Sequence, residues 1–208
     1  MSNVKEAYRV WSEIYDSNLN KTRDLEGIAL RSVLNSFQFH HCLEVGCGTG
    51  KNTAWFVTKA QKVTSIDLSE EMLQLAKNKI HNKRVEFLQV DINNAWTFTN
   101  DTFDLVSFSL VLEHIEKLDH VFAEASRLLN QNGHLYLGEL HPFKQYSGSK
   151  ARFETEEGMQ IVDCFNHHIS DFIRVANKHG FILASLDEFF DEDNPEIPRI
   201  LTLLFVKS

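Results

Sequence analysis

Three glycines at alternate positions, Gly46, Gly48 and Gly50, close an apolar run that begins near Cys42, and a polar, helix-compatible stretch follows them. Glycine lacks a Cβ, so it permits tight turns and close approach of another molecule to the backbone. A strand that stops in such a turn and becomes a helix points free backbone N–H groups at whatever docks there. A chain with this feature is built on strand–turn–helix units. The spacing G-x-G-x-G is one residue short of the dinucleotide fingerprint G-x-G-x-x-G. Tight turns of this kind also occur without a ligand, so the features after the loop decide the reading.

Those features recur in order. A second apolar strand over residues 63–66 ends in Asp67, and a third over 85–90 ends in Asp91-Ile92. A fourth over 103–108 runs into Ser109-Leu110-Val111-Leu112-Glu113-His114. Leu135, Leu137 and Leu140 mark a fifth, and residues 181–190 and 201–206 finish as strands. An acidic turn with Pro195 and Pro198 joins the last two, compatible with an antiparallel hairpin.

Helical spacing lies between the strands. Val4, Tyr8, Trp11 and Tyr15 share one face of an N-terminal helix, and residues 24–37 read as a second helix with Ile28, Ala29, Val33 and Phe37 inward. Ser69 is placed to cap a helix whose first turn carries Glu70 and Glu71, favourable near its positive end. Leu118, Val121, Phe122, Ala125, Leu128 and Leu129 form a further stripe. Alternation of strand and helix implies a parallel sheet with helices on both faces. An acid ending the second strand of such a sheet is placed to accept hydrogen bonds from ribose hydroxyls.

The series Glu44-Val45-Gly46-Cys47-Gly48-Thr49-Gly50, Ile66-Asp67-Leu68-Ser69, Val90-Asp91-Ile92 and Asp104-Leu105-Val106-Ser107 resembles the class I S-adenosylmethionine-dependent methyltransferases, most closely their small-molecule branch. The resemblance covers residues 40–140 well and the rest loosely. It implies a single Rossmann-like α/β domain over 1–208, with seven strands, mostly parallel, the last antiparallel, and helices on both faces. Residues 1–37 would form an N-terminal helical cap and 141–169 an insertion over the active site. It implies S-adenosyl-L-methionine as cofactor. Glu44 would reach the amino end of its methionine, and Gly46, Cys47, Gly48 and Gly50 would pass under that moiety. Asp67 would take the ribose and Asp91 the adenine amine, with Leu68 and Ile92 sandwiching the ring; Ser109 is a further cofactor-binding candidate. Leu68 and Ile92 also fit as plain core residues. Tyr15, with Tyr8 and Trp11, suits either a lid over the cofactor or helix packing; Arg23 suits a pair with the methionine carboxylate or an exposed loop position.

Composition narrows the partners. The 208 residues are 43% hydrophobic, enough for one cored domain. A net charge of −8 without a long basic run disfavours a phosphate-backbone ligand. The three cysteines, Cys42, Cys47 and Cys164, show no paired or zinc spacing, so no metal is expected. No apolar leader opens the N-terminus and no stretch has the length of a membrane span, which points to a cytoplasmic protein.

The acceptor side is thinner. Ser107-Phe108-Ser109-Leu110 is not the Asn/Asp-Pro-Pro-aromatic motif of amino-group methylation on bases or glutamine. His141, just after the fifth strand, is the first candidate for a general base, and His114 the second; each also fits a structural role. Phe143, Tyr146, Phe153 and Phe165 suit a planar acceptor or a small local core. Methyl transfer to oxygen, nitrogen or carbon of a small molecule leads. A protein that holds the cofactor without transferring its methyl is the alternative, and a nicotinamide oxidoreductase is disfavoured by the glycine spacing. The sequence leaves the acceptor and the oligomeric state open.

Overall fold

The computed structural model describes residues 2–12, 15–16, 19–149, 152–155 and 158–208. Its main sheet is built from β1 (Phe39–Val45), β2 (Ala60–Asp67), β3 (Val85–Gln89), β4 (Phe103–Ser109), β5 (Leu129–Leu140), β8 (Phe181–Asp191) and β9 (Asn194–Lys207). Their spatial order is β3-β2-β1-β4-β5-β9-β8. The first five run parallel, whereas β9 lies antiparallel to both β5 and β8. The order reverses between β1 and β4, and in open α/β sheets the crevice outside the strand ends at that point is where ligands bind.

Side chains alternate across β1. Leu43 and Val45 enter a core with Phe122, Ala125, Phe172 and Ala176 from α5 (Leu118–Leu128) and α7 (Ile169–Lys178). Cys42 enters a second core with Leu30, Leu34 and Phe56 from α2 (Lys21–Leu34) and α3 (Lys51–Lys59). Helices therefore cover both faces. The helix α4 (Glu70–Lys79) begins as its cap predicts, with Ser69 Oγ accepting from Met72 N. At the other end of α7, Gly180 takes a positive φ of 79° as the chain leaves the helix.

Several boundaries differ from the sequence reading. The helix expected over 24–37 begins at Lys21, because Asn20 caps it by accepting from Arg23 N. Ile28 is exposed on it; Glu26, Gly27, Ala29, Leu30 and Leu34 are the buried residues. Pro195 and Pro198 fall inside β9, where its pairing with β8 is irregular, rather than in the turn. The N-terminal helix α1 spans Ser2–Trp11, short of Tyr15. Between β5 and α7 the chain forms α6 (Pro142–Tyr146) and a separate hairpin, β6 (Arg152–Thr155) with β7 (Gly158–Ile161). Among the described residues no helix is long and apolar enough to cross a membrane.

Candidate active site

The glycine turn has a separate reason for each glycine. All three have positive φ: 72° at Gly46, 52° at Gly48 and 83° at Gly50. A Cβ on Gly46 would stand 2.2 Å from Val111 Cγ2, and one on Gly50 would stand 2.8 Å from Ile80 Cδ1. A Cβ on Gly48 would meet nothing within 4 Å. The outer glycines let the turn pack against the protein; the middle one faces open space. Gly46 N and Cys47 N both donate to Ile66 O, at 2.8 and 3.0 Å, tying the turn to β2.

That open space belongs to a cavity of ≈ 1210 Å³ at the carboxyl ends of β1 to β4. Gly46, Gly48, Asp67, Leu68, Asp91, Ile92 and Ser109 line it, as do Tyr8 and Tyr15 from the N-terminal segment and His114 after β4. Asp67 Oδ2 accepts from Gly48 N at 2.8 Å and Oδ1 from Ser69 N at 2.9 Å. With Leu68 N–H also facing the carboxyl, these backbone groups hold it in place and leave lone-pair capacity for a ligand hydroxyl. Burial pushes this carboxyl above its ordinary range, against the pull of those backbone N–H groups. Asp91 Oδ1 is held by Asn93 N at 3.0 Å. Open space over Gly48, a wall carboxylate and apolar Leu68 and Ile92 fit a polar chain, a ribose and an adenine ring in that order.

Four expected cofactor residues lie elsewhere. Glu44 is buried beneath the turn, accepting from Thr53 Oγ1 and from Ser65 Oγ at 2.8 Å; burial pushes it up to about 7. It supports the turn from behind and does not line the cavity. Cys47 points inward, and burial raises its thiol. Gly50 caps α3. Arg23 sits behind Tyr15, donating to Tyr15 O with its guanidinium 5.1 Å from the ring centroid.

His141 does not reach the cavity. Its Nδ1 accepts from Phe143 N at 3.1 Å, capping α6, and its Nε2 lies 2.9 Å from Glu188 Oε1. Both ring nitrogens are engaged and the residue is buried. The structure thus places His141, the first candidate for a base, at the cap of α6 rather than in the cavity lining. Phe143 and Tyr146 are exposed away from the cavity, and of the insertion's aromatics with described side chains only Phe165 lines it. The Phe153 side chain lies outside the described residues.

His114 is differently placed. Its Nδ1 is 2.9 Å from Asp163 O, a group that only accepts, so Nδ1 carries the proton. Nε2 is thereby an acceptor, and Tyr8 Oη donates to it at 2.9 Å. Glu113 Oε1 stands 3.9 Å from the same nitrogen. The strap that supplies Asp163 is fixed at two further points: Phe165 N donates to Glu113 O at 2.7 Å, and His167 Nε2 to Ile115 O at 2.7 Å. Trp11 sits in a small core with Val162, against which Tyr8 and Tyr15 also pack, so those two both pack and line the cavity. Among the described residues no group of three His, Cys, Asp or Glu could hold a metal ion.

Comparison with known proteins agrees with this geometry. A family profile described as a methyltransferase domain matches residues 43–137. An uncharacterised methyltransferase of Emericella nidulans is 24% identical over 88% of this chain and 77% of its own length. A demethylmenaquinone methyltransferase of Leptospira interrogans is 32% identical, over 50% of this chain and 45% of that protein. Thus the chain matches about half the length of that relative. The N-methyltransferase NodS of Bradyrhizobium japonicum, solved with S-adenosylhomocysteine, superposes with a TM-score of 0.74 over 99% of this chain and 98% of NodS. At 17% identity that likeness is one of fold. Residues 43–137 thus match a methyltransferase domain, and the whole chain shares the fold of S-adenosylmethionine-dependent methyltransferases.

Proposed function

We propose that the protein transfers a methyl group from S-adenosylmethionine to a small molecule, with His114 as general base. The observation that carries the proposal is the cavity. Its ≈ 1210 Å³ exceeds the ~300–1,000 Å³ usual for one drug-sized ligand, which leaves room for an acceptor beside the cofactor. Gly48 and Asp67 would hold the methionine and ribose parts, and Leu68, Asp91 and Ile92 the adenine. The bound cofactor supplies an electrophilic methyl on a sulfonium.

The protein's own share is positioning, exclusion of water and proton removal. An acceptor hydroxyl or amine takes the place of the Tyr8 hydroxyl on His114 Nε2. Its oxygen or nitrogen would take the methyl that the cofactor supplies, with the thioether as leaving group. The acceptor's proton passes to Nε2. Tyr8, Tyr15 and Phe165 roof the site with aromatic faces, which suits a planar or partly apolar acceptor. The negative net charge supports a small molecule over nucleic acid. Cys42 and Cys47, buried and outside any disulfide, suit the cytoplasm.

The test is a screen of hydroxyl and amine acceptors read by S-adenosylhomocysteine release, repeated on His114→Ala. The expected result is turnover by the wild type and a fall of about 10²–10⁴ in kcat in the variant, the usual share of a general base, with unchanged cofactor affinity. Turnover unaffected by the substitution refutes the base. Cofactor binding without turnover of any acceptor favours the protein that only holds the cofactor.

A further inference from the structure

The wall between Gly46 and His114 is made by an unusual stretch of backbone. Leu110 has φ 57°, a left-handed conformation that leucine rarely adopts, and it lines the cavity. Such strain persists only where surrounding contacts enforce it. Here the end of β5 enforces it. Leu110 N donates to Gly138 O at 2.8 Å. The next two N–H groups, of Val111 and Leu112, both donate to Glu139 Oε1, at 3.2 and 3.0 Å.

We infer that Glu139 is the positioning residue of the site: from β5 it caps the turn after β4, fixing the Val111 wall over Gly46 and the place of His114. Leu112–His114 is a single 3₁₀ turn, and the first N–H groups of any helical turn lack intrahelical acceptors. The residue at its start, Val111, offers no side-chain cap. A carboxyl 27 and 28 residues away in sequence supplies the acceptor instead. From there the turn continues by His114 N to Val111 O at 3.0 Å and Ile115 N to Leu112 O at 3.1 Å. Val111 is the side chain against which Gly46 is tailored. One carboxyl oxygen thus locates both the methionine end of the cavity and its candidate base.

Gln is a close mimic of this group. Glu139 is 3% exposed, and burial pushes its carboxyl up to about 8, so at neutral pH it is a neutral acid. Glu139→Gln keeps the accepting oxygen; Glu139→Leu keeps the bulk and removes it; Glu139→Ala leaves room for water to substitute in part.

The inference rests on the cavity's being the cofactor site, so two readouts are paired. Calorimetric titration with S-adenosylhomocysteine measures binding, and residue-resolved amide exchange follows Val111 and Leu112 without ligand. In Glu139→Gln, affinity stays within threefold of wild type and both amides stay protected. In Glu139→Leu, affinity falls 10- to 100-fold per folded molecule and both amides lose protection; Glu139→Ala falls between. If the Leu variant does not fold, the Ala and Gln variants carry the comparison. A variant without the oxygen that binds as wild type, or a Gln variant as weak as the Leu one, overturns the inference. A wild type that does not bind S-adenosylhomocysteine refutes the cofactor site itself, while the amide exchange still reports on the cap.

Discussion

Replacing Gly48 with valine should separate folding from binding. The Cβ meets no protein atom within 4 Å, so the native packing need not move. What remains is the φ of 52°, at which an L side chain costs roughly 1–2 kcal/mol. For a chain of this size that is a fall in Tm of about 2–8 °C. The isopropyl group meanwhile fills the space over the turn, and affinity for S-adenosylhomocysteine should fall at least ~100-fold, about 2.7 kcal/mol. Gly46→Ala is the control with the opposite balance. Its smaller side chain stands 2.2 Å from Val111 Cγ2 at a φ of 72°. Overpacking of ~1–3 kcal/mol then adds to the backbone strain. Thermal unfolding without ligand and calorimetric titration test both variants. Gly48→Val proving less stable than Gly46→Ala, or binding within threefold of wild type, refutes the reasoning.

Three further outcomes follow from the geometry. Asp67→Ala should weaken S-adenosylhomocysteine binding by about 1–3 kcal/mol, since it frees the Gly48 N–H as well as removing a ligand contact; unchanged affinity by titration would show Asp67 to be only a strand-end acid. His141→Ala should lower stability by ~1 kcal/mol through loss of the α6 cap, with turnover near normal at saturating acceptor; a kcat fall of about 10²-fold or more would restore its role as a base. Burial raises Glu139 to about 8 from an ordinary 4.5, so between these values the native state holds a proton that the unfolded chain has lost. Its contribution to stability therefore declines as pH rises through that window. Glu139→Gln lacks this titration, so urea unfolding should show the variant gaining on wild type from pH 5 to 8; a constant difference contradicts the buried neutral acid.

The parallel half of the sheet was legible because β1 to β4 are short, largely apolar runs flanked by Gly, Asp or Asn. Asp67 was legible because a residue that ends a buried strand such as β2 has few reasons to be charged. Ser69 announced α4 through a local cap. What was not legible shares a cause: the deciding contact comes from far away in the chain. His141 follows β5 as a base might, but its partners are its own helix and Glu188 on β8. Glu26 breaks the expected face of α2 because Tyr136 and Asn52 donate to it across the core. Glu139 stands in an apolar strand, and that anomaly was the available signal; its meaning required the turn 27 residues upstream. Tyr8 is spaced as a packing residue, and only the fold brings His114 to its hydroxyl.

The most direct test of the central claim is calorimetric titration of the wild-type protein with S-adenosylhomocysteine and, separately, with NAD. A site built from Gly48, Asp67, Leu68 and Ile92 at the β1–β4 crevice should bind one S-adenosylhomocysteine per chain and show no heat with NAD. Binding of NAD, or silence with S-adenosylhomocysteine, would contradict the account.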